Sequence, residues 1–588
     1  DRWETTMLAL DFIRKYGFTE EYQAFYTNAP TAPMDVFVTD EAAEKLIQKE
    51  RAREQSRHLR SLKNLPRCGA ISKVEVPSSD ENLPPMTHDT KETVEAAIME
   101  TIEARYKLSH SSPFLHDPLL ALIGITGTSP AAQQILDGTF TCPDGVDDTT
   151  RTIIQLLQRP FNGHQRVAAE ISRQDYQRYW KRAKESTSSA YSGLHFGHWK
   201  AAANCDVLSE IHSIFTEIAT TSGYVPPRWT HGLTVMLEKK PGVILVDKLR
   251  AILLLEGDFN FANKLILGVR MMRNAEAHNL TVPEALGSRK HHDAKELALN
   301  RRLLADISRQ QVRPLAIASV DAAQCYDSIA HPPGSLACQR LGAPPLFLSC
   351  MLLSIQLMKF HLRTAYGDST AYFSSRRGQT PLQGICQGNG GGPSFWYAVS
   401  IILVILLHHK GHGAKYRSAL SNEITIIAGL LFVDDTDLLA FGTSPTAVVQ
   451  ALQAAVLTWQ QGLQVTGGSL KPEKCSWSIL AYHFKEGRVQ IHTPRSFPAS
   501  ISLAAADGSL KPITRVPAAE GTTVVGVVQT LTGVMKPQVD ALTEKADTWA
   551  TNIRNGWLNR RLAWSGLNTM IWPSMAYPLQ ICSMTKVQ

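Results

Sequence analysis

Three carboxylates stand where the chain could do metal-assisted chemistry. The apolar run Leu315-Ala-Ile-Ala-Ser-Val ends in Asp321, and the run Gly429-Leu-Leu-Phe-Val ends in Asp434-Asp435. An acid that closes an apolar strand sits at the rim of a sheet, open to a ligand yet held by the core. Two adjacent Asp repel each other unless something neutralises them. A divalent cation does so, and Mg²⁺ favours a few carboxylates together with substrate phosphates and water. Neighbouring strand residues point to opposite faces, so both acids reach one site only from a tight hairpin turn, for which Asp-Asp is a suitable pair. A metal-free Asx-type hairpin fits the pair alone; it fits less well once Asp321 ends a second strand. Asp437, an extra acid past the hairpin, reads as structural.

Between the carboxylates lies Leu382-Gln-Gly-Ile-Cys-Gln387-Gly388-Asn-Gly-Gly-Gly-Pro393, then an apolar helix. Glycines before a helix let backbone approach a flat or phosphorylated ligand closely. The segment lacks the lysine of a P-loop and does not match a dinucleotide fingerprint. His408, His409 and His412 have i, i+4 spacing, but Gly411 intervenes and no carboxylate is beside them, so they read as structural. His195 and His198 read as packing or backbone-bonding residues.

Taken in order, four segments resemble the palm motifs of reverse transcriptases: Asp321…Tyr326, Gln387-Gly388…Pro393, Phe432-Val433-Asp434-Asp435, and Gly467-Gly468-Ser469-Leu470-Lys471-Pro472-Glu473-Lys474. Upstream, Met236-Leu-Glu-Lys-Lys240, Lys248-Leu-Arg250-Ala-Ile252 and Asn263-Lys264 resemble the fingers motifs. Tyr191-Ser-Gly-Leu-His-Phe-Gly-His-Trp-Lys200 resembles the segment before them in enzymes of the non-LTR, eukaryotic retrotransposon type. The specific resemblance runs from about Tyr191 to Lys474.

The resemblance implies RNA-templated DNA synthesis by two-metal-ion nucleotidyl transfer, with RNA template, DNA or RNA primer and dNTPs as partners. The cofactor would be two Mg²⁺ ions, with Mn²⁺ as substitute, held by Asp321, Asp434 and Asp435. Lys240 and Arg250 would grip the triphosphate, although Lys239 could replace Lys240, and both have a plain reading as exposed strand charges. Ala322, Gln387 and Gly388 would lie against the nucleotide. Lys474 would approach the leaving group as proton donor, or is a solvated turn lysine. Tyr326, five residues after the first Asp, would lie beneath the sugar and exclude a ribose 2′-hydroxyl. That favours dNTPs over the NTPs of an RNA-dependent RNA polymerase, which stays open as an alternative, as does a non-catalytic RNA-binding scaffold. The run Gly390-Gly391-Gly392 departs from the commoner apolar-Ser-Pro continuation, and Phe432 stands where many relatives have Tyr.

The expected fold class is α+β: a right-hand polymerase with fingers (181–310), a palm with an antiparallel sheet (311–485) and a helical thumb (486–588), plus a helical N-terminal extension (1–180). Within the extension, residues 69–88 read as a linker, and Asp89 with Glu92 as a capping box for a helix through Tyr106. In the basic segment 45–67, Lys45, Lys49, Arg53, Arg57 and Arg60 recur at helical spacing, giving either a solvated helix face or a phosphate-tracking one. Thr523–Val528 reads as one weak strand, and Gly556 as a helix stop. Trp549, Trp557, Trp564 and Trp572 lie among basic residues and suit either a duplex grip or a core.

Composition sets the outer limits. The chain has 588 residues, 44% hydrophobic and 19% charged, and a net charge of +7, enough apolar material for a large core and mildly favourable to a polyanionic partner. Its longest apolar stretch, Trp396–Leu407, falls short of the roughly 20 residues of a bilayer span, so no membrane helix is expected. Nine cysteines without a CxxC pair suggest reduced thiols and an intracellular, nuclear or cytoplasmic, setting. After Lys474 there is little room for a nuclease beside a thumb, so no ribonuclease H domain is expected. No zinc knuckle, endonuclease or integrase signature is visible.

Overall fold

The computed structural model describes residues 70–78, 83–163, 165–418, 420–505, 509–556 and 558–583. The basic segment 45–67 lies outside the described residues. Chain contacts divide the molecule into two compact units, one of residues 1–67, 192–194 and 544–575, the other of 68–191, 195–543 and 576–588.

The larger unit is α+β. A helical region, broken by 3-10 turns, runs from Lys91–Tyr106 to Asp206–Ser222. It is preceded by two short strands, β1 (Val74–Val76) and β2 (Met86–His88), paired antiparallel. The expected linker is therefore a hairpin docked onto the protein: Val74 is fully buried and Glu75 N donates to Ile244 O at 3.0 Å. The capping box of the first long helix falls one residue later than expected, at Thr90 and Thr93, because the helix begins at Lys91.

The strands that follow are β3 (His231–Glu238), β4 (Leu249–Leu254), β5 (Leu315–Asp321), β6 (Lys359–Thr364), β7 (Gly367–Asp368), β8 (Ala414–Arg417), β9 (Ile424–Ile427), β10 (Gly429–Phe432), β11 (Asp435–Phe441) and β12 (Ser476–Leu480). One four-stranded sheet has the order β4–β3–β6–β7. The central sheet has the order β10–β11–β5–β12 and ends in a two-residue edge strand, Thr514–Arg515. Its strands are antiparallel except at that last edge. β5 is the middle strand, and Leu315, Ala316, Ile317, Ala318 and Val320 are buried on both of its faces, which is why it reads as a continuous apolar run.

The helix Gly392–His409 lies in the core of this unit. By length and composition it could cross a membrane, counter to the expectation that no such helix exists, but 78% of it is buried inside the protein. Gly392 to Phe395 and His408 to His409 extend the helix beyond the apolar stretch Trp396–Leu407 at both ends.

Downstream, the described residues of 488–529 hold short strands joined by loops, and helix resumes at Lys536–Asn555. The expected single strand Thr523–Val528 is a hairpin, Thr522–Val524 against Val527–Gln529, whose Val525 and Gly526 both have positive φ. Two successive positive-φ residues make the tight loop that such a hairpin requires. The next helix stops at Asn555, as Gly556 suggests. In the smaller unit Trp549 packs with Ile571, while Trp564 and Trp572 are exposed. Trp557 lies outside the described residues. The eight cysteines described are unpaired.

Candidate active site

The site is built where β5 and the β10–β11 hairpin end together. β11 pairs with β5 so that Asp435 stands directly opposite Asp321. Directly opposed residues of an antiparallel pair share a face, and like charges there destabilise the pair. Phe432 pairs with Asp435, leaving Val433-Asp434 as a two-residue loop. Val433 has φ +58° while Asp434 is not in the positive region, the pattern of a type II′ turn. A β-branched residue at positive φ is strained, by about 1–3 kcal/mol. Its surroundings hold it there: Trp396 Nε1 donates to Val433 O at 2.7 Å, and a Cβ on Gly287 would come within 2.5 Å of Val433 N. The hairpin is also tied to residues 284–286, since Leu286 N donates to Leu431 O and Leu431 N to Glu284 O.

This geometry divides the acids between two cavities that meet at Asp321 and Lys474. A cavity of about 120 Å³ is lined by Asp321, Ala322, Gln324, Cys325, Tyr326, Asp327, Gln387, Asp434, Lys239, Arg250, Lys471 and Lys474. A second, of about 220 Å³, includes Asp321, Asp435, Asp437, Arg301, Ser319, Ser476, Lys474 and the Thr522–Val525 turn. The turn thus brings Asp434 into the first cavity but leaves Asp435 in the second. Asp434 occupies the loop, whereas Asp435 already follows the strand pleat.

Electrostatics follow from this crowding. Partial burial and the charges of Asp434, Asp437 and Asp321 push the Asp435 carboxyl up to about 6. Asp437 is buried and structural: it pairs with Arg301 Nη1 at 3.2 Å and accepts from Ser319 Oγ at 2.5 Å. Lys474 Nζ donates to Asp321 Oδ2 at 3.2 Å, and Lys471 N donates to Asp321 O. Lys239, partly desolvated and crowded by Lys474, Arg105, Arg250 and Lys471, is pulled below the usual lysine range. A group of cations held this closely is suited to an anion. Asp327 is buried and its carboxyl is raised to about 6 by burial, despite the opposing Arg105 and Lys239 charges.

Of the nucleotide-contact residues expected from sequence, Arg250, Ala322, Tyr326 and Gln387 line the first cavity. Lys240 does not; Lys239, the previous residue, takes that place. Tyr326 is half-buried at the cavity wall, so it is no ordinary core tyrosine. Gly388 is not itself in the lining. It has φ +122°, and a Cβ there would lie 2.2 Å from Leu253 O, while Leu253 N donates to Gln387 O at 2.7 Å. Gly388 thus lets the Gln387 loop press against β4.

Gly390 and Gly391 approach a helix and not a ligand. A Cβ on Gly390 would meet Lys264 Cβ and Asn260 Oδ1 at 2.9 Å, and one on Gly391 would meet Asn263 O at 3.0 Å. The His residues are separately satisfied: His408 bonds Glu284 at 2.6 Å, His412 bonds Thr458, and His198 Nδ1 accepts from His195 N.

Lys471, Gln324, Cys325 and Asp327 were not expected at the site, and neither was the Arg105 charge facing Asp327. Asp327 follows Tyr326 directly in the chain, and no motif of its own marks it. Arg105 lies on the helix Lys91–Tyr106, far away in sequence, and nothing local marks it.

The donor set suits a hard divalent cation in type and charge: Asp321 and Asp435 at the ends of two adjacent strands and Asp434 in the turn beside them, with Asp435 reluctant to ionise beside the others. Among the described residues no three His, Cys, Asp or Glu side chains already converge as a ligand group. The Lys474 ammonium instead supplies the positive charge at Asp321.

No family model matches the chain. Over 389 residues, 63% of its length, it is 23% identical to the "Retrovirus-related Pol polyprotein from type-1 retrotransposable element R2" of Nasonia vitripennis. The chain is distantly similar to a retrotransposon Pol polyprotein. The match spans 34% of that relative's own length, so it concerns about a third of it.

Proposed function

We propose that the chain is a reverse transcriptase of a retrotransposon-like element, with a right-hand fold in which the central sheet is the palm (311–485), residues 181–310 are fingers and the chain beyond 486 leads into the thumb. One observation carries the reading: Asp321 and Asp434 share a single polar cavity with Tyr326, Gln387, Arg250 and Lys239. The distant similarity to a retrotransposon Pol polyprotein supports the same class.

In this reading Asp321 and Asp434 would hold divalent cations, with Asp435 contributing from the adjoining cavity. Mg²⁺ bound there would supply charge neutralisation for the attacking primer hydroxyl and the leaving pyrophosphate. Lys239 and Arg250 bind and orient the triphosphate as fixed cations. Gln387, anchored through its carbonyl to Leu253, positions the base. The Tyr326 ring closes the side of the cavity where a 2′-hydroxyl would project, so deoxyribose is accepted. Lys474, which donates to Asp321 at 3.2 Å, holds a proton that it could deliver to the leaving group. The strained Val433-Asp434 turn, fixed by Trp396 and Gly287, sets Asp434 in place before substrate binds. RNA template and primer are the proposed partners.

The test is primer extension on an RNA template with Mg²⁺, comparing dNTPs with NTPs, in the wild type and in Asp434→Asn. Extension with dNTPs alone, abolished by the substitution, is the expected result. Preference for NTPs would move the assignment to an RNA polymerase, and RNA binding without extension by either would make the chain a scaffold.

A further inference from the structure

A second concave feature of the larger unit lies outside the carboxylate site. It is a cleft of about 520 Å³ between the helix Arg173–Trp180, the turn that follows it, and the π-helical turns Lys264–Met271. The size is that of a small-ligand pocket. Its floor is apolar, made of Phe196, Leu265, Val269 and Ala183, with Tyr179 on the wall. Its rim is cationic: Arg178, Arg182, Lys184, Lys264, Arg270 and Arg273, against one acid, Asp175.

That acid is already engaged. Asp175 Oδ2 accepts from Arg270 Nη2 at 2.9 Å and closes the Ser172 capping box, and Arg270 also donates to the carbonyls of Ala168 and Glu170. Arg178 reaches Asp175 only at 4.0 Å. Arg182, Lys184, Lys264 and Arg273 are exposed and have no ion-pair partner among the described residues. Lys264 lies over the Tyr179 ring, 5.8 Å from its centroid. Four cations without an ion-pair partner among the described residues, around an apolar, aromatic-walled hollow, are poorly suited to an acidic peptide, which offers carboxylates without flat rings. They suit a chain that alternates phosphates with stackable bases.

We propose that this cleft is a second nucleic-acid site, which holds an unpaired stretch of single-stranded RNA with phosphates on the Arg182, Lys184 and Arg273 rim and a base over the apolar floor. The inference rests on the polymerase reading only in naming RNA as the strand. The helix bearing Lys264 also packs on Gly390 and Gly391, so the cleft and the Gln387 loop are borne on the same packed elements. A strand in the cleft would therefore lie on elements that pack against the loop following Gln387.

The experiment measures binding of a fluorescent twelve-residue oligo(U) to the full chain over a range of salt. Arg182→Gln/Arg273→Gln removes two exposed, unpartnered charges and leaves the melting midpoint unchanged. We expect it to weaken binding by about tenfold and to reduce the slope of log K against log salt by about 1.4, two contacts at about 0.7 each. A control pair on a distant hairpin, Lys485→Gln/Arg488→Gln, leaves both quantities within about twofold of the wild type, as expected for charges not in contact. Equal losses in both pairs, no loss in the cleft pair, or equal competition by polyglutamate would overturn the proposal. The readout is binding, and it is repeated on Asp434→Asn, so the proposal can stand or fall whether or not the chain extends primers.

Discussion

Gly388→Ala would test the joint that holds Gln387 in the cavity. The new Cβ would sit 2.2 Å from Leu253 O, 3.2 Å from Leu253 C and 3.4 Å from Leu253 N, all backbone atoms of β4 that cannot swing aside. At φ +122° an alanine is also strained, by about 1–2 kcal/mol. To relieve the contact the loop must retreat by about 1 Å to reach ordinary van der Waals distance. That movement breaks the 2.7 Å bond from Leu253 N to Gln387 O and leaves two buried backbone groups unpaired, which costs about 1–3 kcal/mol. The sum is about 2–5 kcal/mol, expressed as a lower denaturation midpoint followed by tryptophan fluorescence or calorimetry. Because Gln387 moves with the loop, KM for the incoming nucleotide should rise by about tenfold or more, while a variant at an unconstrained glycine such as Gly487→Ala, with nothing within 4 Å of its Cβ, tolerates the change apart from the φ penalty. A Gly388→Ala protein with an unchanged midpoint and unchanged KM would refute the reasoning.

Replacing Tyr326 with Ala opens the wall of the cavity, and the preference for dNTPs over NTPs should fall by about tenfold or more in competition assays. Arg301→Met leaves Asp437 buried without its cation, and calorimetry should show a loss of about 3–5 kcal/mol, with a milder loss in Asp437→Asn. The Asp435 carboxyl, pushed up to about 6, binds its proton more tightly in the folded chain than in the unfolded one. Its contribution to stability is therefore complete below the ordinary carboxyl value of 3.8 and lost as pH rises through about 6. Asp435→Asn, which mimics the protonated form, should gain in melting temperature over the wild type as pH is raised from 5 to 8 without divalent cations; a constant difference across that range would contradict the shift.

The parts legible in sequence were those where a local pattern and a tertiary role coincide. β5 is buried on both faces, so it reads as an apolar run, and its end at Asp321 marks the rim of the sheet. The Asp434-Asp435 pair is legible for the same reason. Their separation into adjoining cavities is not, because it depends on which of the two occupies the turn, and that is fixed by the register of Phe432 against Asp435. Lys239 and Lys240 cannot be ranked from sequence at the end of a strand; the course of the chain after Glu238 decides which faces the cavity. Glycines gave the same pattern for two jobs: Gly388 lets a loop press on β4, whereas Gly390 and Gly391 admit a helix. The Arg105 charge acts on Asp327 from a helix far upstream in the chain, a proximity no spacing reveals. The expected linker 69–88 is rich in breakers, yet Val74–Val76 and Met86–His88 pair as strands, because pairing with residues near Ile244 compensates for poor local propensity.

The most direct measurement of the central claim is the rate of single-nucleotide incorporation on an RNA template, compared between wild type, Asp321→Asn, Asp434→Asn and the structural control Lys536→Gln. The account predicts dNTP-dependent incorporation that falls by at least about a hundredfold in each Asp variant, the scale of several kcal/mol of lost transition-state stabilisation, and is unaffected in the control. Incorporation that survives both Asp substitutions would place the chemistry elsewhere and contradict the account.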